Sequence, residues 1–361
     1  MNVTTSFTKN KIVHLLPEGK ISCSAPSNIA LVKYWGKYPV QQPANPSISF
    51  TLDQSKTITT LYFKEKEIPN DNFEFELLFE GIAKPEFLPK LESFFSKIEP
   101  FFEFLKQYHF KIETRNTFPH SSGIASSASS MSALAYCLTT LEAQICEIGD
   151  QDYILKKTSF IARLGSGSAC RSINGPMMVW GTHEGIKEST NLYAVPFPFT
   201  IHDHFKNYQD TILLVDKGKK EVSSTVGHQL MHEHPYAESR FKQAYQNITR
   251  ITEILTSGNK DAFIHLVESE ALTLHAMMMT SMPYFILMKA NTLLIIQKIW
   301  EYRKNTGSSV CFTLDAGANV HVLYPENEQK VIKKFIESEL VAYCENGNYI
   351  CDKIGFGIEL L

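Results

Sequence analysis

Apolar positions recur along this 361-residue chain with two different periods, and the change between them predicts where sheet gives way to helix. Ser47-Ile48-Ser49-Phe50-Thr51-Leu52 alternates strictly, as a strand with one face on a core does. Thr57 to Phe63 and Phe73 to Phe79 alternate similarly and are expected to extend an antiparallel sheet. From Phe87 to Phe110 the spacing becomes three and four (Leu88, Leu91, Phe94, Phe95, Ile98, Phe101, Phe102, Leu105), predicting a helix broken near Pro100. Phenylalanine is dense there, which points to core or an interface. Phe110 to Arg115 reads as a strand, and Ala128, Met131, Leu134, Ala135, Leu138 and Leu141 as a buried helical stripe. A helix over Asp152 to Arg163, capped at Gly165, precedes a strand at Met177 to Trp180.

Beyond the polar stretch His202 to Asp210 the pattern turns helix-rich. Thr211 to Val215 reads as a short buried strand, Tyr236 to Thr256 and Lys260 to Met279 as helices, Val310 to Leu314 as a strand and Asn327 to Tyr343 as helical. Two domains are expected, 1–205 and 206–361. Met1 to Gly19 reads as a surface extension or an added edge strand. Met277, Met278, Met279 and Met282 are expected to fill core, and His321, inside a strand pattern, to be structural.

Composition narrows the class. With 43% hydrophobic residues the chain can bury a large core. Net charge is -3, with no basic run longer than Lys219-Lys220 or Lys333-Lys334, which argues against nucleic acid. No apolar stretch approaches the ~20 residues of a membrane helix, and Met1 to Lys20 lacks the apolar run of a secretion signal. Seven cysteines without CxxC spacing read as reduced thiols, mostly core, rather than disulfides or a zinc site. A cytoplasmic enzyme is the expectation.

Four stretches carry candidate chemistry. Phe118-Pro-His-Ser-Ser-Gly-Ile-Ala-Ser-Ser-Ala-Ser-Ser130 places a serine-rich loop at a helix start, where free N–H groups, hydroxyls and the positive dipole end suit a polyphosphate. The plainer reading is that Ser126 or Ser127 caps the helix. Lys33 follows the apolar run Ile29 to Val32, so its ammonium is expected to be part-buried and to need an anion. Arg163 to Ser172 brings glycines, serines and Arg171 together; it reads either as a carboxylate grip or as a Gly/Ser loop with a surface arginine. Asp315 ends an apolar strand beside Ala316, Gly317 and Asn319, either as a base in a cleft or as an Asx-turn residue. The basic loop Asp216 to Gly227 would add phosphate contacts if it neighbours the first cleft, and is otherwise a solvated loop.

Pro119-x3-Gly123-Ile124-Ala125-Ser126-Ser127-Ala128 resembles the phosphate loop of the GHMP kinase superfamily. With Ala25 to Lys37, Gly165 to Ser172, Val222 to Thr225 and Asp315-Ala-Gly in that order, residues 21 to 325 resemble the diphosphomevalonate decarboxylase family. The resemblance implies an α+β, two-domain GHMP kinase fold, with a ribosomal-protein-S5-domain-2-like first domain and a ferredoxin-like second. It implies ATP- and Mg²⁺-dependent conversion of (R)-5-diphosphomevalonate to isopentenyl diphosphate, CO₂, ADP and phosphate, in a cytoplasmic homodimer. By the same resemblance Asp315 takes or orients the hydroxyl proton, Lys33 keeps that carboxylate charged and Arg171 holds the substrate carboxylate. Tyr34, Trp35, Gly36, Lys37, Ser166, Gly167, Ser168, Ala169, Cys170, Lys220, Ser224 and Thr225 fall at substrate positions. Ser121, Ser122, Gly123, Ala125, Ser126 and Ser127 fall at ATP, with Ser127 also near Mg²⁺. Phosphomevalonate as substrate, a pure 3-kinase reaction and a non-catalytic ligand sensor are the alternatives.

Overall fold

In the computed structural model, residues 7–119, 124–216 and 224–361 are described. The first half opens with β1 (Glu18–Val32), a small hairpin of β2 (Lys37–Tyr38) and β3 (Gln42–Pro43), and the long β4 (Ser47–Glu65). β5 (Glu74–Phe79), β6 (Ile82–Ala83), α1 (Leu88–Ile98) and β7 (Tyr108–Asn116) lead to α2 (Ser126–Ile145) and α3 (Gln151–Gly165). β8 (Met177–Trp180) and β9 (Val195–Pro196) follow. The second half runs α4 (Asp203–Lys206), β10 (Gln209–Leu213), α5 (Ser224–Gln229), α6 (Ala237–Ser257), α7 (Lys260–Met279) and α8 (Ala290–Thr306). It ends with β11 (Cys311–Thr313), β12 (Val320–Tyr324), α9 (Gln329–Phe335), β13 (Tyr349–Lys353) and β14 (Glu359–Leu360).

The larger sheet has the order β14-β1-β4-β7-β5-β6, with β8 also on β4 and β9 on β8; the smaller is β11-β12-β10-β13. The last strand thus returns to the first sheet, where Cys23 faces Leu360. This mixed α/β architecture is the expected two-part α+β fold. Helices α1 to α3 cover one part of the large sheet over a core that includes Phe94, Phe95, Phe102, Phe104 and Phe110, so the phenylalanine-rich stretch is core. Each such side chain contributes about 1.5–3 kcal/mol by leaving water, before the entropy of ordering it. Beyond them, Ile48, Phe50 and Val179 of the large sheet share a core with Ile212 of β10, Ile248 and Ile251 of α6 and Val267 of α7. That shared core sets the two halves against each other. Among the described residues no helix is long and apolar enough to cross a membrane.

Several expectations are corrected. The two alternating runs before and after Asp53 are one strand, β4, which runs on because β1 pairs with it from Glu18 to Val32. A register shift between Pro26 and Asn28 absorbs the missing N–H of Pro26 inside β1. β5 lies parallel to β7, because the intervening segment crosses back through α1 instead of turning as a hairpin. The helix expected from Phe87 ends at Ile98 and a single 3₁₀ turn at Pro100. Residues 7–17 are irregular and packed on the body: Phe7 is buried against Tyr153, Phe160 and Tyr193. Met277 and Met278 fill core, whereas Met279 and Met282 are exposed near the end of α7.

Candidate active site

β1 delivers Lys33 at the point where its pairing with β4 stops, at Val32 opposite Ile48. The Lys33 side chain is 2% exposed, and its Nζ lies 3.0 Å from Asp315 Oδ1. Asp315 comes from the other half, in the loop between β11 and β12, and retains 28% of its side-chain exposure. A buried ammonium therefore meets a carboxylate that solvent or a ligand can reach. The carbonyl of Asp315 accepts a hydrogen bond from His275 Nε2 at 3.1 Å. Burial drives the His275 imidazole down to about 4, so it is a neutral donor.

Arg171 occupies the 3₁₀ turn Gly167–Ser172, which Asn28 ties to β1 by donating to Ser168 O and Ser172 Oγ. It is buried, so the surface-arginine reading is excluded. Its Nε donates to Ser49 Oγ at 3.0 Å and its Nη1 to Ser47 Oγ at 2.7 Å, and the guanidinium lies 5.9 Å from the Trp180 ring centroid. Among the described residues its hydrogen-bond partners are hydroxyls and not carboxylates. Burial pulls its pKa down, and the charge of Asp315 is among the groups that work the other way. A desolvated guanidinium held by hydroxyls is well suited to a carboxylate brought by a ligand. Ser47 and Ser49 belong to the alternating run at the start of β4. Its polar face is buried beside Arg171, so the alternation marks the site and not a solvated face.

Tyr34 lies beside this group, its ring 4.7 Å from Trp180 and 4.2 Å from His228. Among the described residues its buried hydroxyl has no hydrogen-bond partner, and burial pushes the phenol up. His228 of α5 accepts from Gly36 N–H through Nδ1 at 3.0 Å, and its ring lies tilted 4.7 Å from that of Trp35. Burial, aided by Lys37 and Arg171, takes this imidazole down to about 3. Lys37 is half-buried, which lowers its pKa. The Trp35 ring enters an apolar cluster with Met231, Leu274, Met277 and Met278. The Cys170 thiol packs with Met178 and Trp180, and Ala169 is also core. For these three the side chain is packing beneath the site. Gly165 is the last residue of α3 and not its C-cap, which is Ser166 in an extended conformation.

At the start of α2 the N-cap position is Ala125, at φ 46 and ψ 36, with no side-chain cap, so neither Ser126 nor Ser127 caps the helix. Ser127 is exposed, while the hydroxyls of Ser129 and Ser130 turn back to Ser126 O. Ser121, Ser122, Gly123 and Lys220 lie outside the described residues, and Ser224 and Thr225 open α5. Among the described residues no three His, Cys, Asp or Glu side chains gather to hold a metal ion. Sequence reasoning missed Ser47, Ser49, His228, His275, Arg240 and Glu270. Only the serines of β4 carried a local signal.

Residues 25–191 match the diphosphomevalonate decarboxylase-like N-terminal domain, and residues 211–353 match the mevalonate 5-diphosphate decarboxylase C-terminal domain. The diphosphomevalonate decarboxylase of Debaryomyces hansenii is 31% identical over 86% of this chain and 81% of its own length. That of Bos taurus is 28% identical over 84% and 76%. A solved structure of MDDEF in complex with MVAPP, AMPPCP and magnesium superposes with a TM-score of 0.79 at 25% identity, covering 95% of this chain and 99% of that one. The mevalonate diphosphate decarboxylase of Staphylococcus aureus has the same TM-score and identity over 95% and 98%.

Proposed function

The chain belongs to the diphosphomevalonate decarboxylase family, and from that premise we propose that it converts (R)-5-diphosphomevalonate and ATP to isopentenyl diphosphate, CO₂, ADP and phosphate. The observation that carries this reading is the 3.0 Å Lys33–Asp315 pair, with its reachable carboxylate, on a protein that also buries Arg171 among hydroxyls. A tertiary alcohol is a crowded nucleophile and a poor leaving group, so it must be oriented, deprotonated and phosphorylated before carbon dioxide can leave. Asp315 accepts the hydroxyl proton. Lys33 holds that carboxylate in place and offsets negative charge developing on the transferred phosphoryl group. Arg171 grips the substrate carboxylate until loss of phosphate leaves C3 cationic and the carboxylate departs as CO₂, its bonding pair forming the alkene.

The start of α2 supports ATP binding: its first turn is uncapped by any side chain and Ser127 is exposed there. Ser121, Ser122, Gly123, Ala125, Ser126 and Ser127 are assigned to the phosphates. Magnesium, when bound, neutralises phosphate charge. The exposed Ser127 hydroxyl would be this chain's ligand to that ion. Tyr34, Gly36, Lys37, Ser166, Ser168, Lys220, Ser224 and Thr225 are assigned to the diphosphate end of the substrate. Trp35, Gly167, Ala169 and Cys170 form the floor of that region. The division at 205/206 is kept, with β14 returning to the first sheet. The reading includes a cytoplasmic homodimer that does not bind nucleic acid, supported by the net charge of -3 and by the exposed Met282, Tyr284 and Ile286, which a second copy would cover.

The test is to incubate the pure protein with ATP and, separately, mevalonate, phosphomevalonate and diphosphomevalonate while following CO₂ and ADP. One CO₂ per ADP with diphosphomevalonate alone is expected. ADP without CO₂ would make the protein a 3-kinase, and no turnover despite ATP binding would make it a sensor.

A further inference from the structure

Helix α7 reaches both members of the Lys33–Asp315 pair through groups that take no part in the proposed reaction. Glu270, fully buried, accepts four hydrogen bonds. Lys33 N–H at 2.8 Å and Arg240 Nη2 at 2.6 Å meet Oε2, while Arg240 Nη1 at 2.9 Å and Asn247 Nδ2 at 2.6 Å meet Oε1. Arg240 Nη2 also donates to the Lys33 carbonyl at 3.2 Å, joined by Asn45 Nδ2 at 2.9 Å. Five residues further along α7, His275 donates to the Asp315 carbonyl at 3.1 Å. One rigid helix thus holds the backbone of Lys33 near one residue and the backbone of Asp315 about 7.5 Å further along its axis.

Both peptide groups of Lys33 have left the β ladder, which ends at Val32. Inside a protein they require partners. A neutral amide would meet that need, and a buried ion pair is commonly no more stabilising than apolar residues of the same volume. Fold stability therefore does not account for a Glu270–Arg240 pair in which each side chain is at most 1% exposed. Its distinguishing property is rigidity: Glu270 uses both oxygens and Arg240 bridges from it to the Lys33 carbonyl. We propose that α7 acts as a caliper, in which Glu270, braced by Arg240, and His275 are positioning residues that set the distance between the Lys33 ammonium and the Asp315 carboxylate. The proposal rests on the reading of Lys33 and Asp315 as reacting groups. It extends the site to residues of α6 and α7 that touch neither substrate nor nucleotide.

The test compares the paired variant Glu270→Leu/Arg240→Met, which removes both charges together, with His275→Phe and His275→Asn. A displacement of about 1 Å at reacting groups lowers turnover roughly 10²-fold. The paired variant and His275→Phe are therefore expected to lose about that factor in kcat, with KM for ATP and for diphosphomevalonate within about threefold of wild type. His275→Asn, which keeps an N–H donor, is expected to recover most of the loss. Crystal structures of the variants read the geometry without any substrate: the Lys33 Nζ–Asp315 separation should open beyond ~4 Å, the limit of an ion pair. A separation that stays at 3.0 Å in both Glu270→Leu/Arg240→Met and His275→Phe overturns the caliper, whatever happens to turnover. A widened separation with unchanged kcat upholds the caliper and overturns instead the reading of the pair as reacting groups. If the paired variant does not fold, His275→Phe carries the same two readouts.

Discussion

Two buried cations at the site, Lys33 and Arg171, have different partners, and that difference underlies the roles proposed for them. Lys33 is paired with a protein carboxylate at 3.0 Å, whereas Arg171 is held by the hydroxyls of Ser47 and Ser49. Replacing Asp315 with Asn keeps the shape and removes the base. It should lower kcat at least ~10²-fold while KM for both substrates stays near wild type, as steady-state kinetics would show. A rise in KM with kcat retained would mark Asp315 as a turn residue. Arg171→Lys preserves charge but not the planar fork that matches a carboxylate. It should depress CO₂ release strongly while nucleotide affinity holds, and a 3-phosphorylated intermediate should accumulate in a quenched single turnover. Equal loss of ATP binding and CO₂ release would show that Arg171 serves the fold or the nucleotide instead.

At the scale of elements, the segment between β1 and β4 does most to shape the site. It must leave the sheet after Val32, pass Tyr34 beside Trp180 and His228, and turn back at Gly36. Gly36 has φ +95, a left-handed conformation that side chains disfavour, and a Cβ there would lie 2.8 Å from Phe241 Cζ. Gly36→Ala should therefore destabilise the protein by about 1–3 kcal/mol, measured by denaturant unfolding. It should also weaken diphosphomevalonate binding more than ATP binding, because Lys37 follows directly. An unchanged midpoint would mean that the loop relaxes freely. Other elements are shaped by partners distant in sequence. β4 is continuous because β1, β7 and β8 each pair with part of it, and β5 is parallel because α1 carries the chain back across the sheet.

For the whole molecule, burying two neutral imidazoles ties stability to pH. His228 is depressed to about 3 and His275 to about 4, burial being the main cause in each. An unfolded imidazole titrates near ~6.5. As pH falls from about 6.5 toward 4, the unfolded chain takes up protons that these folded histidines refuse, so stability falls with pH. The two groups together contribute a slope of up to ~2.7 kcal/mol per pH unit. Urea unfolding at steps from pH 7 to pH 4.5 should show this loss, and His228→Gln should remove roughly half of the slope that His228 and His275 contribute together. A His228→Gln profile parallel to wild type would show that the His228 ring takes up its proton without opposing the fold. Another buried imidazole, His321, behaves oppositely: burial works against its charge, but the Asp210 carboxylate 2.8 Å away raises its pKa. Its contribution is present at low pH and is lost as pH rises through the folded value.

What the sequence determined by itself was everything set by neighbours along the chain. The alternation in β4, the three–four spacing of α2, and the charged residues at the ends of apolar runs are local properties, and Lys33 and Asp315 stood out for that reason, whereas Arg171, in a run of glycines and serines, read equally as a surface residue. An ammonium directly behind four apolar residues needs an anion wherever the chain folds. Tertiary structure decided which anion, since Asp315 lies 282 residues away and no period or spacing encodes that meeting. It also decided that the serines of β4 face Arg171 instead of water, that Glu270 on α7 binds the backbone of Lys33, and that His228 and His275 are buried neutral. Burial and partnership belong to pairs of elements, whereas a sequence pattern reports only one element at a time.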